Sequence, residues 1–201
     1  MISVLLVEDQ HLVRGALAAL LSLEPDITVV AEASDGQTGV RAALEHRPDV
    51  VLMDIELPVL DGIEAARRIR EALPATKVIM LTTFGRPGYL RRAMDAGASG
   101  FVLKDSRPGR LTDSVRKVAD GRTVVDPDLA VASLESGADP LNERERDVLR
   151  VAATGATVAD IAKELTLSSG TVRNYLSSAI SKTRARNRVD AALIARDKGW
   201  L

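Results

Sequence analysis

With 201 residues the chain has room for one or two domains of modest core, and the lack of any cysteine excludes a disulfide framework, a thiolate metal site and a thiol nucleophile. A formal net charge of −1 hides an asymmetry: residues 1–138 carry 16 Lys+Arg against 20 Asp+Glu, residues 139–201 carry 11 against 8, and the stretch 168–198 carries 7 against 2. An acidic first part with a basic second part fits a polyanion as partner of the latter; no apolar run approaches the ~18–20 residues that cross a bilayer and no signal-peptide pattern opens the chain, so a cytoplasmic protein without direct membrane insertion is expected.

The run Ile2–Val7 reads as a strand with Glu8-Asp9 at its end. Leu12, Val13, Ala16, Leu17, Leu20 and Leu21 follow helical spacing until Pro25. Ile27–Ala31 is a second strand, and Asp35-Gly36 turns into a helix reaching about His46. Val50–Met53 is a third strand running straight into Asp54, with Pro58 and Gly62 marking the loop beyond. A helix follows from Gly62 to about Leu73, a fourth strand over Val78–Leu81 ends at Thr82, and a helix spans about 86–96. Phe101–Leu103 is a fifth strand ending at Lys104, and Pro108 opens a helix that stops near Gly121. Five strands alternating with five helices predict a doubly wound α/β domain with a five-stranded parallel sheet.

In such a sheet the carboxyl ends of the strands share one edge, where ligands bind. Glu8, Asp9, Asp54, Thr82 and Lys104 all fall on that edge. Taken alone, Asp54 reads equally well as a helix-capping Asp in a strand–helix loop; the company of the other four argues for a site. Asp9, Asp54 and the backbone carbonyl beyond it offer hard oxygens to one Mg2+ (or Mn2+), and a divalent cation relieves the repulsion of crowded carboxylates. With the cation bound, Asp54 is a carboxylate nucleophile toward phosphorus, Lys104 a clamp on the transferring phosphoryl group and Thr82 a hydroxyl donor to it. His11 and His46 have no partner in the sequence and read as surface residues.

Residues 122–138, with Pro127 and Gly137, read as a linker containing at most a short helix, the alternative being a sixth helix packed on the sheet. From Leu141 onward only helical periodicity remains. Asn142 with Glu145 three residues on resembles a capping box. A helix over Thr157–Leu165, a turn Leu167-Ser168-Ser169-Gly170 and a helix from Thr171 to about Thr183 form a helix-turn-helix pattern. Val172, Leu176, Ala179 and Ile180 give the latter an apolar face; Arg173, Asn174, Ser177, Ser178 and Ser181 face away, small polar side chains suited to a groove. A last helix runs from Val189 to about Lys198.

Leu5-Leu6-Val7-Glu8-Asp9, Met53-Asp54-Ile55-Glu56-Leu57-Pro58, Asp61-Gly62, Leu81-Thr82-Thr83-Phe84 and Gly100–Asp105 together resemble the receiver domain of two-component response regulators. Thr171-Val172-Arg173-Asn174-Tyr175 and Asn187–Ala191 resemble the LuxR/NarL-type DNA-binding domain. The joint resemblance is to the NarL/FixJ family, with a flavodoxin-like receiver over residues 1–121, a linker over 122–138 and an all-α helix-turn-helix domain over 139–201. It implies Asp54 as phosphoacceptor; Asp9 as a direct metal ligand, Glu8 through water and Glu56 through its main-chain oxygen; Thr82, Phe101 and Lys104 as switch and phosphoryl-binding residues. It implies DNA contacts from Ser169, Thr171, Arg173, Asn174, Ser177, Lys182, Arg184 and Arg188. The implied partners are a cognate sensor histidine kinase, double-stranded operator DNA and, on phosphorylation, a second copy of the chain, with RNA polymerase an open further partner. The chain departs from the family pattern with Asp105 in place of the frequent Pro, so a trans bond after Lys104 is expected, and with Arg173 and Tyr175 in place of the commoner Lys and His. The competing readings are a phosphatase or phosphotransferase with an aspartyl nucleophile, as in the haloacid dehalogenase-like enzymes, whose pattern is a first-strand Asp followed two residues on by a second Asp, where here Asp54 ends the third strand and Glu56 stands two residues on, and a receiver controlled by ligand or partner without phosphorylation.

Overall fold

The computed structural model describes residues 1–83, 87–105, 107–127, 129–131 and 139–201. The chain divides into two compact units, one ending at Val131 and one centred on residues 139–201.

The first unit runs β1 (Ile2–Val7), α1 (His11–Ser22), β2 (Ile27–Ala33), α2 (Gly36–His46), β3 (Val50–Asp54), α3 (Gly62–Ala72), β4 (Lys77–Thr82), α4 (Pro87–Asp95), β5 (Gly100–Leu103), α5 (Pro108–Ala119) and β6 (Val124–Val125). The sheet order is β2-β1-β3-β4-β5-β6 and every neighbouring pair is parallel. Helices on both faces leave the central strands no wet side, which is why β3 is apolar at four successive positions and buried at all five of its residues. On one face Val4, Leu6, Val50, Leu52, Ile79, Leu81 and Val102 pack with Leu21 of α1 and with Leu111, Val115 and Val118 of α5. On the other, Val7 lies so close to Gly39 of α2 that a Cβ there would meet it at 2.9 Å. Each fully buried Leu or Val contributes about 1.5–3 kcal/mol of transfer free energy. The strand order reverses between β1 and β3, so their carboxyl ends flank the crevice where a doubly wound sheet binds its ligand.

Among the described residues the sheet has six strands where five are expected. Val124–Val125 pairs with Gly100–Phe101, with the amides of Val124 and Asp126 donating to the carbonyls of Ser99 and Phe101, both at 3.0 Å. This pairing covers the outer edge of β5, which would otherwise stay open. Two residues are too few for a periodicity to betray them. Residues 129–131 are helical and Leu129 is buried, so the stretch read as linker begins as part of the first unit; its remainder, 132–138, lies outside the described residues, as does Phe84.

The second unit holds α6 (Glu143–Ala153), α7 (Val158–Glu164), α8 (Ser169–Thr183) and α9 (Arg188–Asp197). Each starts on a side-chain cap: Asn142, Thr157, Ser168 and Asn187 accept from the first-turn amides. Their apolar stripes meet in one core of Val148, Leu149, Ile161, Val172, Leu176, Ala179, Ala191, Ala192 and Ala195 among others. Here the expected turn is corrected: Ser169 and Gly170 belong to the helix. Ser168 Oγ accepts from the Thr171 amide at 3.0 Å and fixes the start, and Gly170 sits in a first turn whose amides lack intrahelical partners anyway.

Candidate functional site

At the carboxyl edge of the sheet, Glu8 follows β1, Asp54 ends β3, Thr82 ends β4 and Lys104 follows β5. The ligand oxygens of Glu8, Asp9 and Asp54 all lie within 4.8 Å of one another. Glu8 is wholly buried and Asp54 is 5% exposed, whereas Asp9 faces solvent. The Lys104 ammonium bridges two of them, 2.6 Å from Glu8 Oε2 and 3.0 Å from Asp54 Oδ1. Asp54 Oδ1 also accepts from the Ile55 amide at 2.8 Å. Helix capping does not explain Asp54: Asp61 does that work, its Oδ1 accepting from the amides of Ile63 at 2.9 Å and Glu64 at 3.2 Å.

The backbone holds these side chains firmly. The Glu8 amide donates to Ala33 on β2 at 3.0 Å, and the Glu8 carbonyl accepts from Arg14 Nη1 at 2.6 Å. The Lys104 amide donates to the Thr82 carbonyl at 2.8 Å, tying the ends of β4 and β5. Burial pushes the Glu8 carboxyl above its ordinary value and the Asp54 charge adds to that, Lys104 offsetting only part. Three carboxyl groups converge here on one ammonium, and their all-oxygen donor set suits a hard divalent cation. Glu56 is exposed and its side chain lies outside the cluster. Thr82 is buried, and Phe101 is fully buried between Met80 of β4 and Val125 of β6. The bond after Lys104 is trans, there being no cis peptide among the described residues. His11 and His46 are exposed.

In the second unit α7, a turn with Thr166 at φ 54° and α8 place one face of α8 outward. Arg173, Asn174 and Ser177 are exposed on it, Ser169 is exposed at its start and Arg184 at its left-handed C-cap, while Arg188, at the start of α9, is half-buried. Thr171 is half-buried with its hydroxyl 2.8 Å from Ser168 Oγ, so part of it serves the cap. Lys182 and Ser178 are engaged otherwise than their positions imply. Both donate to Glu145, Lys182 Nζ at 2.8 Å and Ser178 Oγ at 2.6 Å. Glu145 is 2% exposed and its Oε2 also accepts from the Asn142 amide at 2.8 Å. Burial pushes this carboxyl up, but Lys182, Ser178 and the amide together outweigh it and hold it below the ordinary value. The capping-box spacing was the one sequence signal for Glu145; its grip on α8, 33 and 37 residues away, has none.

Comparison with known proteins agrees with this division. Residues 4–116 match the response regulator receiver domain family, and residues 139–195 match the luxR family of bacterial regulatory proteins. YvfU of Bacillus subtilis (strain 168), an uncharacterized transcriptional regulatory protein, is 46% identical over 201 residues, covering all of both chains. The transcriptional regulatory protein DesR of the same organism is 43% identical over 200 residues, covering 100% of this chain and 99% of DesR. The crystal structure of the response regulator ChrA of a heme-sensing two-component system superposes with a TM-score of 0.61 at 33% identity, covering 100% of this chain and 98% of ChrA. Among the described residues no helix is long and apolar enough to cross a membrane. A receiver with an acidic crevice followed by a LuxR-type helix-turn-helix makes this chain a member of the two-component response regulators that control transcription through a LuxR-type DNA-binding domain.

Proposed function

We propose that Asp54 is the phosphoacceptor of this regulator, taking its phosphoryl group from a cognate sensor histidine kinase, and that phosphorylation promotes a homodimer that binds operator DNA. The observation that carries this reading is the convergence of Glu8, Asp9 and Asp54 at one edge of the sheet, with the Lys104 ammonium bridging Glu8 and Asp54. An Asp54 carboxylate oxygen attacks phosphorus; the new P–O bond forms as the P–N bond to the kinase imidazole breaks and its electron pair returns to the ring nitrogen. Lys104, already 3.0 Å from Asp54 Oδ1, stays to balance the charge of the transferred group. Mg2+ (or Mn2+), held by Asp9 and Asp54, by Glu8 through water and by the Glu56 main-chain oxygen, would neutralise charge on the phosphoryl oxygens. The Thr82 hydroxyl donates to the phosphoryl group once it has arrived, drawing the end of β4 inward, and Phe101 follows into the space vacated. A shift of ~1.4 kcal/mol between two conformations changes their ratio tenfold, so one such hydrogen bond suffices. The receiver acts on itself alone and turns over no external substrate. In the dimer two copies of α8 address two half-sites, the arrangement two-fold symmetric regulators use.

Incubation with acetyl phosphate and Mg2+, followed by intact mass and peptide mapping, tests the assignment. Wild type should gain one phosphoryl group at Asp54, and Asp54→Asn should gain none because an amide is no carboxylate nucleophile. One label retained by Asp54→Asn at another residue overturns the assignment of Asp54. Continuous phosphate release would instead point to an enzyme, and an unlabelled wild type to a receiver controlled without phosphorylation.

A further inference from the structure

The sixth strand and the pair that pins it have no part in phosphoryl chemistry, yet they are attached to it. The carbonyl of Phe101 accepts the Asp126 amide at 3.0 Å, and Phe101 stands opposite Val125. Asp126 sends its carboxylate into the unit, where the side chain is 1% exposed and Arg110 Nη1 of α5 lies 3.1 Å from Oδ2. The Ala130 amide donates to the Asp126 carbonyl at 3.0 Å, so the helical stretch behind it starts from the same residue. Arg110 is 48% exposed and reaches Asp126 from the rim. The segment from Val124 onward, which leads by the shortest covalent path to the DNA-binding unit, is thus stitched to β5 at the aromatic residue assigned to the switch.

The seams on the two sides of β5 are unequal. β4 and β5 share four residue pairs, and the Lys104 amide bonds the Thr82 carbonyl besides; β5 and β6 share two. The seam to β6 is the shorter of the two, and it is made at the start of β5 on Phe101 itself, so a movement of Phe101 bears on it directly. The geometry points to β6 as a strap: Val124–Asp126, latched by Arg110 to Asp126, is seated on β5 in the unphosphorylated protein and is released on phosphorylation, freeing the chain that leads to the DNA-binding unit. This inference rests on the proposed phosphorylation of Asp54 and adds to it the element that reads the change.

Amide hydrogen exchange on the full chain, with and without acetyl phosphate and Mg2+, tests it. Exchange of the Val124 and Asp126 amides should speed up about tenfold once intact mass shows the phosphoryl group in place, while the amides of β1 and β3 keep their protection. Arg110→Ala, which removes a rim side chain, should give the faster exchange at the same two amides without any phosphodonor, and labelling should then add little. A phosphorylated protein whose Val124 and Asp126 amides exchange as slowly as before overturns the strap and leaves the phosphoacceptor reading intact. Arg110→Ala with wild-type protection at both positions overturns the latch. Absence of any label overturns the phosphoacceptor reading and the strap with it.

Discussion

Two residues beside Asp54 set the geometry of its loop in opposite ways. Gly62, the first residue of α3, has no room for a side chain: a Cβ would stand 1.8 Å from the Asp54 carbonyl oxygen. Gly62→Ala must therefore displace either α3 or the end of β3. It should destabilise the first unit by several kcal/mol, of order ~2–4, and should lose labelling by acetyl phosphate, read by urea unfolding and intact mass. Val59 stands three residues earlier with φ 67°, in a tight turn closed by the Leu60 amide donating to the Pro58 carbonyl at 2.7 Å. A β-branched residue there carries backbone strain of about 1–3 kcal/mol, and at 84% exposure its burial returns little. Val59→Gly relieves the strain and costs roughly 0.5–1 kcal/mol in unfolded-chain entropy. The variant should come out about 1 kcal/mol more stable; a lower urea midpoint than wild type would show the turn to be unstrained.

At the scale of elements, what the sequence disclosed depended on length and on locality. Val50–Met53 and Val78–Leu81 are apolar runs long enough to announce buried strands, and Glu8, Asp9, Asp54, Thr82 and Lys104 were legible as one edge because parallel strands leave their ends no other place. Val124–Val125 was hidden by its shortness and by the Pro127 beyond it. Gly170 misled because glycine breaks helix interiors, not first turns, and the Ser168 cap settles the boundary. The distances by which Lys104 joins Glu8 to Asp54, and by which Glu145 joins α6 to α8, belong to tertiary packing and leave no local trace. That second junction yields a pH prediction. The Glu145 carboxyl sits below its ordinary value of 4.5 when folded, so the unfolded chain binds its proton first. Its stabilisation is fully present above about pH 4.5 and is lost as pH falls through the lower folded value. Glu145→Gln should accordingly destabilise the second unit at pH 7, and the gap from wild type should close on acidification below pH 4. Lys182→Met should cost more than an ordinary surface change, about 1–3 kcal/mol, since it strips a buried carboxylate of its cation. Chemical denaturation of both variants at pH 7 and pH 3.5 gives the readout; a Glu145→Gln deficit that is the same at both pH values would place the stabilisation elsewhere.

Over the whole molecule, charge is segregated: the acidic crevice lies in a part with four more acids than bases, and α8 opens a stretch of seven bases against two acids. The DNA contacts proposed for α8 and its surroundings divide into two kinds. Arg173 and Asn174 sit on the outward face one turn or so from the N-terminus, where Arg can pair with guanine O6 and N7 and Asn with adenine N6 and N7. Arg184 and Arg188 follow the C-terminal end of α8 and suit phosphates, which position the protein without reading sequence. Lys182 stands apart from both groups, because its ammonium is held by Glu145 at 2.8 Å and has less charge to give to a phosphate. Arg173→Ala or Asn174→Ala should cost ~1–3 kcal/mol on the operator and relax preference at one position per half-site. Arg184→Ala should weaken operator and scrambled DNA alike and reduce the slope of log affinity against log salt by about one unit. Lys182→Met should reduce that slope by clearly less than Arg184→Ala does, although it destabilises the fold. Binding of the four variants to operator and scrambled DNA at several salt concentrations separates these outcomes. Equal losses on both DNAs for Arg173→Ala and Asn174→Ala would mean that the outward face of α8 only grips the backbone, and a full unit of slope lost with Lys182→Met would mean that DNA draws the lysine away from Glu145 on binding.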